Sequence, residues 1–152
     1  MELQEIFNKA HKHFAGMTEP SMAGVDGDDE NPQCAYRGAD GNKCIVGAFI
    51  PDSLYKGSLE GDSLDPMGDS EGSGDFSFHN TRVTDVLALA FRQKRLTNEQ
   101  YILLGSLQRV HDRNAEDWND GYALNDEVSW YNFIKSEIIK CGEKFDLETN
   151  EA

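Results

Sequence analysis

Cys34 and Cys44 bracket a glycine-rich turn in the run C-A-Y-R-G-A-D-G-N-K-C-I-V-G-A-F-I-P-D, residues 34–52. One tight turn forces two thiols together with Tyr36, Arg37 and Lys43, and those residue types admit three chemistries. The thiols could hold a zinc ion with His111 or His13 completing the set, although the nine intervening residues exceed the roughly two to four of structural zinc knuckles. Cys34 or Cys44 could act as a nucleophile with His111 as its base, since an imidazole that takes the thiol proton activates it. Asp112 follows His111, but successive helical residues diverge by about 100°, so Asp112 is expected to be poorly placed to orient the ring. His111 itself reads as a cation near a helix C-terminus. Third, Arg37 and Lys43 could clamp a nucleotide with Tyr36 stacked on the base and His111 close by. Each has a plainer alternative: cysteines as small core residues, and Arg37 paired with a carboxylate of the acidic chain around it.

Two further motifs fail on inspection. Asp26-Gly27-Asp28-Asp29-Glu30 resembles the head of a calcium loop, but Asn31 and Arg37 stand where the sharp-turn glycine and bidentate glutamate belong. Gly38-Ala39-Asp40-Gly41-Asn42-Lys43 lacks the spacing of a phosphate-binding loop, and Asp40 would oppose the phosphate. Trp118, in A-E-D-W-N-D-G, is read as part of an acidic linker, either packed on the core or exposed as an interface anchor.

The elements that must position these residues are mostly helical. Leu3, Ile6, Phe7, Ala10 and Phe14 form one stripe of a helix that Gly16 ends. Cys34–Arg37 and Lys43–Ile50 read as a β-hairpin around the glycine turn, with Pro51 halting the second strand before a short turn through Tyr55. Residues 57–77 read as a long mobile loop. Asn80 or Thr81 caps a helix carrying Val83, Val86, Leu87, Ala90 and Phe91. Thr97 and Gln100 fit a capping box opening a helix with Tyr101, Leu104, Leu107, Gln108 and His111 on or beside one face. Asn125-Asp126-Glu127 opens a last helix that Gly142 stops, and residues 146–152 read as a flexible tail. The expectation is one α+β domain over 1–152: about four helices packed around a small hairpin.

Charge narrows the class of partner. The 152 residues carry a formal charge of −14, and residues 17–80 hold 13 acids against Arg37, Lys43 and Lys56. Such a surface repels nucleic acid and anionic membrane and attracts basic protein surfaces. The expected interaction surface comprises Asp26, Asp28, Asp29, Glu30, Glu60, Asp62, Asp65, Asp69, Glu71, Asp75 and Trp118. Arg82, Arg92, Lys94, Arg95, Arg109 and Arg113 gather in the second half, so the molecule is expected to be dipolar. The acidic opening Met1-Glu2-Leu3-Gln4-Glu5 reads as a helix rather than a leader. No apolar run is long enough to span a bilayer, and three cysteines suggest free thiols in a reducing cytoplasm.

Cys34, Tyr36, Arg37, Gly38, Gly41, Cys44, Gly47, Ile50, Pro51 and Asp52, then Glu60-Gly61, then Leu107, Gln108, His111, Asp112 and Trp118, make a pattern. It resembles a family of small uncharacterised proteins from tailed bacteriophages and bacterial genomes. The resemblance implies a phage-type context, hence a host-directed or counter-defence role in the bacterial cytoplasm, and carries no activity. It also suggests that Tyr36, Arg37, His111 and Asp112 meet in one polar cluster. Three functions are therefore expected in order. The first is a non-enzymatic inhibitor of a host or defence protein with a basic surface, acting as a nucleic-acid mimic and needing no cofactor. The second is a nucleotide sponge or hydrolase at that cluster, and the third a structural zinc protein using Cys34 and Cys44.

Overall fold

Glu2 and Glu5 form a reciprocal capping box that starts α1, Leu3–Gly16. Its stripe of Ile6, Phe7, Ala10 and Phe14 is fully buried. In the computed structural model, which describes residues 1–25, 28–38, 41–60, 64, 82–119 and 128–150, the chain is mostly helical. After α1 come β1 (Met22–Val25), β2 (Asp28–Cys34), α2 (Ile45–Phe49), a 3₁₀ turn (Gly57–Leu59), α3 (Arg82–Ala90), α4 (Asn98–Asn119) and α5 (Trp130–Glu143). α4 is the central element, packing on α5, α1 and α2, and α1 also touches α2 and α5. Trp130, Phe7, Phe14, Ile45, Leu104 and Ile134 are among the largest fully buried side chains, each worth about 1.5–3 kcal/mol of transfer free energy.

The expected hairpin is not formed. Ile45–Phe49 is a helix, and only an isolated bridge between Arg37 and Lys43 marks the turn. The strands lie earlier: β1 and β2 pair antiparallel with Met22 opposite Cys34 and Gly24 opposite Pro32. The run I-V-G-A-F-I is apolar throughout, a pattern that fits a buried strand and a buried helix equally. Tertiary contacts decide it. Cys44 Sγ accepts the Gly47 N–H at 3.4 Å, and Gln108 Oε1 on α4 accepts the Val46 N–H at 2.9 Å, so two donors of the first turn are capped.

Three other boundaries differ. α4 runs on to Asn119, so Trp118 lies on a helix, not in a linker, and packs edge-on against Trp130 with ring centroids 5.6 Å apart. His111 is consequently mid-helix, not at a C-terminus. The last helix begins after Ser129, whose Oγ accepts the Asn132 N–H, whereas Asn125, Asp126 and Glu127 lie outside the described residues. It runs one residue past Gly142, which stands where a Cβ would meet Phe7 and Thr149 side-chain atoms at 2.7 Å.

Of the loop expected over 57–77, Leu59 and Leu64 are buried in the core, and residues 61–63 and 65–77 lie outside the described residues. The chain expected as a tail lies against α1: Glu148 N–H donates to Gln4 Oε1 and its carbonyl accepts from Gln4 Nε2. The capping box at Thr97 is present in both directions, with Gln100 N–H on Thr97 Oγ1 and Thr97 N–H on Gln100 Oε1.

Candidate functional site

His111 sits on the apolar stripe of α4, fully buried, with both ring nitrogens engaged. Nε2 accepts the Ser21 N–H at 2.9 Å, which leaves Nδ1 as the protonated nitrogen, donating to Asp112 Oδ1 at 2.9 Å. Asp112 thus does orient the ring, reversing the expectation from helical divergence: its short side chain bends back along the helix surface. Gln108 Nε2 donates to the same carboxylate oxygen at 2.7 Å. Ser21 closes the network by donating Oγ to the Ala35 carbonyl, while Ala35 N–H returns a bond to the Ser21 carbonyl. The motif Leu107-Gln108-x-x-His111-Asp112 therefore ties three distant segments together: the start of β1, the end of β2 and the first turn of α2.

A neutral imidazole with both nitrogens bonded has no lone pair to take a thiol proton. Nor is either thiol prepared to lose one. Burial, followed by the Asp112 charge, pushes the Cys34 thiol up to about 12. Cys44 is fully buried and raised further, chiefly by burial. Cys34 Sγ meets the Asp112 backbone carbonyl at 3.9 Å. We expect alkylation of Cys34 at neutral pH to be at least about tenfold slower than that of free cysteine, which mass spectrometry of iodoacetamide-treated protein measures.

Ligand atoms of Cys34, His111 and Asp112 lie within 4.8 Å of one another, the one such group among the described residues. Cys44 is not part of it, so the structure does not bring together the two cysteines expected to share zinc. The trio fits a metal poorly. Binding at Nδ1 would move its proton to Nε2, which would then face the Ser21 N–H donor to donor.

Arg37 belongs to a second network. Its backbone N–H and that of Tyr36 donate to the two carboxylate oxygens of Glu60 at 3.1 and 2.8 Å, and Tyr55 Oη donates to Glu60 Oε2 at 2.7 Å. Burial first, then this bond, pushes the Tyr55 phenol up to about 12. The guanidinium stacks 4.6 Å above the Tyr55 ring and donates to Asp52 and to the Ile50 carbonyl at 2.6 and 2.8 Å. Its hydrogen bond holds the Asp52 carboxyl below the usual range. Lys43 Nζ reaches the same carboxylate at 3.7 Å. Arg37 is thus paired with an acid of its own segment, and no hydrogen bond or ion pair among the described residues joins it to His111. The single cluster expected from Tyr36, Arg37, His111 and Asp112 is two networks.

Glu60, expected on the interaction surface, is an internal acceptor instead, and Trp118 faces α5. Asp26, Asp62, Asp65, Asp69, Glu71 and Asp75 lie outside the described residues. Asp28, Asp29 and Glu30 are placed in β2 by the backbone. Sequence reasoning missed Ser21, whose partner is 90 residues away. The available signal was Gln108 and His111 themselves, polar residues on an otherwise apolar helical stripe.

An open hollow lies between the end of α1 and the glycine turn, lined in part by Lys12, His13, Thr18, Asn42 and Lys43. His13 Nε2–H donates to the Lys43 carbonyl at 2.6 Å. Burial, and then the positive charges of Lys43 and Lys9, keep its pKa below the ordinary 6.5, outweighing the carbonyl that favours the proton. Below about pH 6.5 the unfolded chain protonates first. The stability of neutral His13 is therefore complete above that value and declines as pH falls through the lowered folded value. Melting temperature should drop on acidification through this window, and less so in His13→Gln.

None of the described helices is long and apolar enough to cross a membrane. Comparison with protein-family models, with curated proteins and with solved structures finds no match to this chain.

Proposed function

We propose that this chain is a non-catalytic binding protein that inhibits a host or anti-phage defence protein by docking its acidic segment onto a basic surface. The observation that carries the reading is the negative charge concentrated in one segment of the sequence. Residues 17–80 hold ten more acids than bases, 13 against three. The reactive-looking residues support it from the other side: Cys44, His111 and Arg37 are each engaged in holding the chain together, and the Cys34 thiol is raised well above the usual range. A basic groove built for nucleic acid is the kind of surface such a segment fits, in the cytoplasm of the bacterial host.

Affinity capture from bacterial lysate, with elution along a salt gradient, tests it. Attraction between exposed charges is screened beyond about 8 Å at physiological ionic strength, so the partner is expected to be a basic protein released at moderate salt. Retention unchanged in molar salt, or capture of acidic proteins alone, would overturn the reading.

A further inference from the structure

The α3–α4 turn gathers exposed cations and exposed apolar side chains. Arg92, Lys94 and Arg95 lie exposed within four residues, and none has an acidic partner among the described residues. Among the described residues the large apolar side chains that stand exposed are Met1, Leu89 and Ile102, and Leu89 and Ile102 flank this turn in sequence. Leu89 is in the last turn of α3 and Ile102 in the first turns of α4, and Met1 is tied to the turn by its amino group on Gln93 Oε1 and its carbonyl on Gln100 Nε2.

The turn is rigid. Gln93 N–H bonds the Ala88 carbonyl and Arg92 N–H the Leu89 carbonyl, a Schellman closure whose left-handed position ordinarily takes glycine. Here it is Arg92, with φ of 58°. Gln93 and Gln100 lock the far side through their side chains.

We propose that this face is a second docking site, distinct from the acidic segment, and that it takes an acidic amphipathic segment of a partner protein. Charge selects the occupant: three cations with no acidic partner among the described residues, on a molecule of net charge −14, favour a compact anion. An extended polyanion, whether duplex or bilayer, is repelled by the net charge of −14 that the molecule carries. Exposed leucine and isoleucine find apolar counterparts in a peptide, whereas a phosphate backbone offers none. A cation at the glycine-favoured position also accounts for keeping a strained residue there.

The probe is a fluorescent helical peptide with leucines on one face and glutamates on the other. A lysine counterpart, a single-stranded oligonucleotide and phosphatidylserine vesicles serve as the comparison arms. The acidic peptide is expected to bind, and Arg92→Gly/Lys94→Gln/Arg95→Gln to weaken it about tenfold, the yield of three exposed charge contacts. Leu89→Ser should weaken it as well. Arg92→Gly alone separates function from structure: it should raise the melting temperature by relieving the strained φ while weakening the peptide. Binding of the lysine peptide reports on the acidic segment and should not respond to these substitutions, so either site can fail without the other. No binding of the acidic peptide, unchanged affinity in the triple variant, or tighter binding of oligonucleotide or vesicles than of peptide each overturns the proposal.

Discussion

Gly47→Ala is expected to destabilise the protein by about 3 kcal/mol or more, at the severe end for a single methyl. A Cβ at this position would overlap the Tyr36 carbonyl oxygen, with the carbonyl carbon 2.8 Å and the Cα 3.1 Å away. The obstructing atoms are backbone, so no side-chain rotation relieves them. They are also anchored, because the neighbouring N–H groups are held by Glu60. α2 would have to move off the 34–38 segment, uncapping Val46 from Gln108 and opening the core at Ile45 and Phe49. Urea denaturation reads the effect, with Gly16→Ala as control because its Cβ would meet nothing within 4 Å. A Gly47→Ala midpoint within error of the parent would show that the two backbones do not approach so closely.

Glu60→Ala is expected to cost about 2–4 kcal/mol. One carboxylate accepts from two consecutive backbone N–H groups and a phenol. Truncation strands partly buried donors at roughly 1–3 kcal/mol each, less what water recovers. Glu60→Gln separates charge from geometry: its single carbonyl oxygen replaces one acceptor and its amide faces the other donor, so an intermediate loss is expected. Were Glu60 a surface contact for a partner, as its place in the acidic segment suggests, Glu60→Ala would leave the urea midpoint unchanged and weaken only binding. The measured midpoint distinguishes these directly.

The helices were legible because each is written locally. The stripe of α1, the capping box at Thr97 and the apolar faces of α3 and α5 require only residues within a few turns of one another. Trp118 shows where that reading stops. An acidic composition suggested a linker, yet no glycine or proline stands between Gly105 and Gly121, and Trp118 continues the spacing of His111 and Ala115 onto α5. Contact with α5 then outweighs the polarity of the neighbouring residues.

The cysteine-bracketed block is where sequence and structure part company. Its residue types alone marked it as the most constrained stretch of the chain, and the excess of acids around it set the expectation of a basic partner. Both follow from composition and spacing. What the constraint is for was decided by partners 13 to 90 residues away: Ile50 and Asp52 for Arg37, Glu60 for the Tyr36 and Arg37 amides, Gln108 for Val46, His111 for Ser21. A buried N–H must find an acceptor wherever the fold supplies one, and no local pattern says which distant side chain that will be. Tertiary structure alone therefore turned a candidate reactive turn into the clasp that holds α2, β2 and α4 in register.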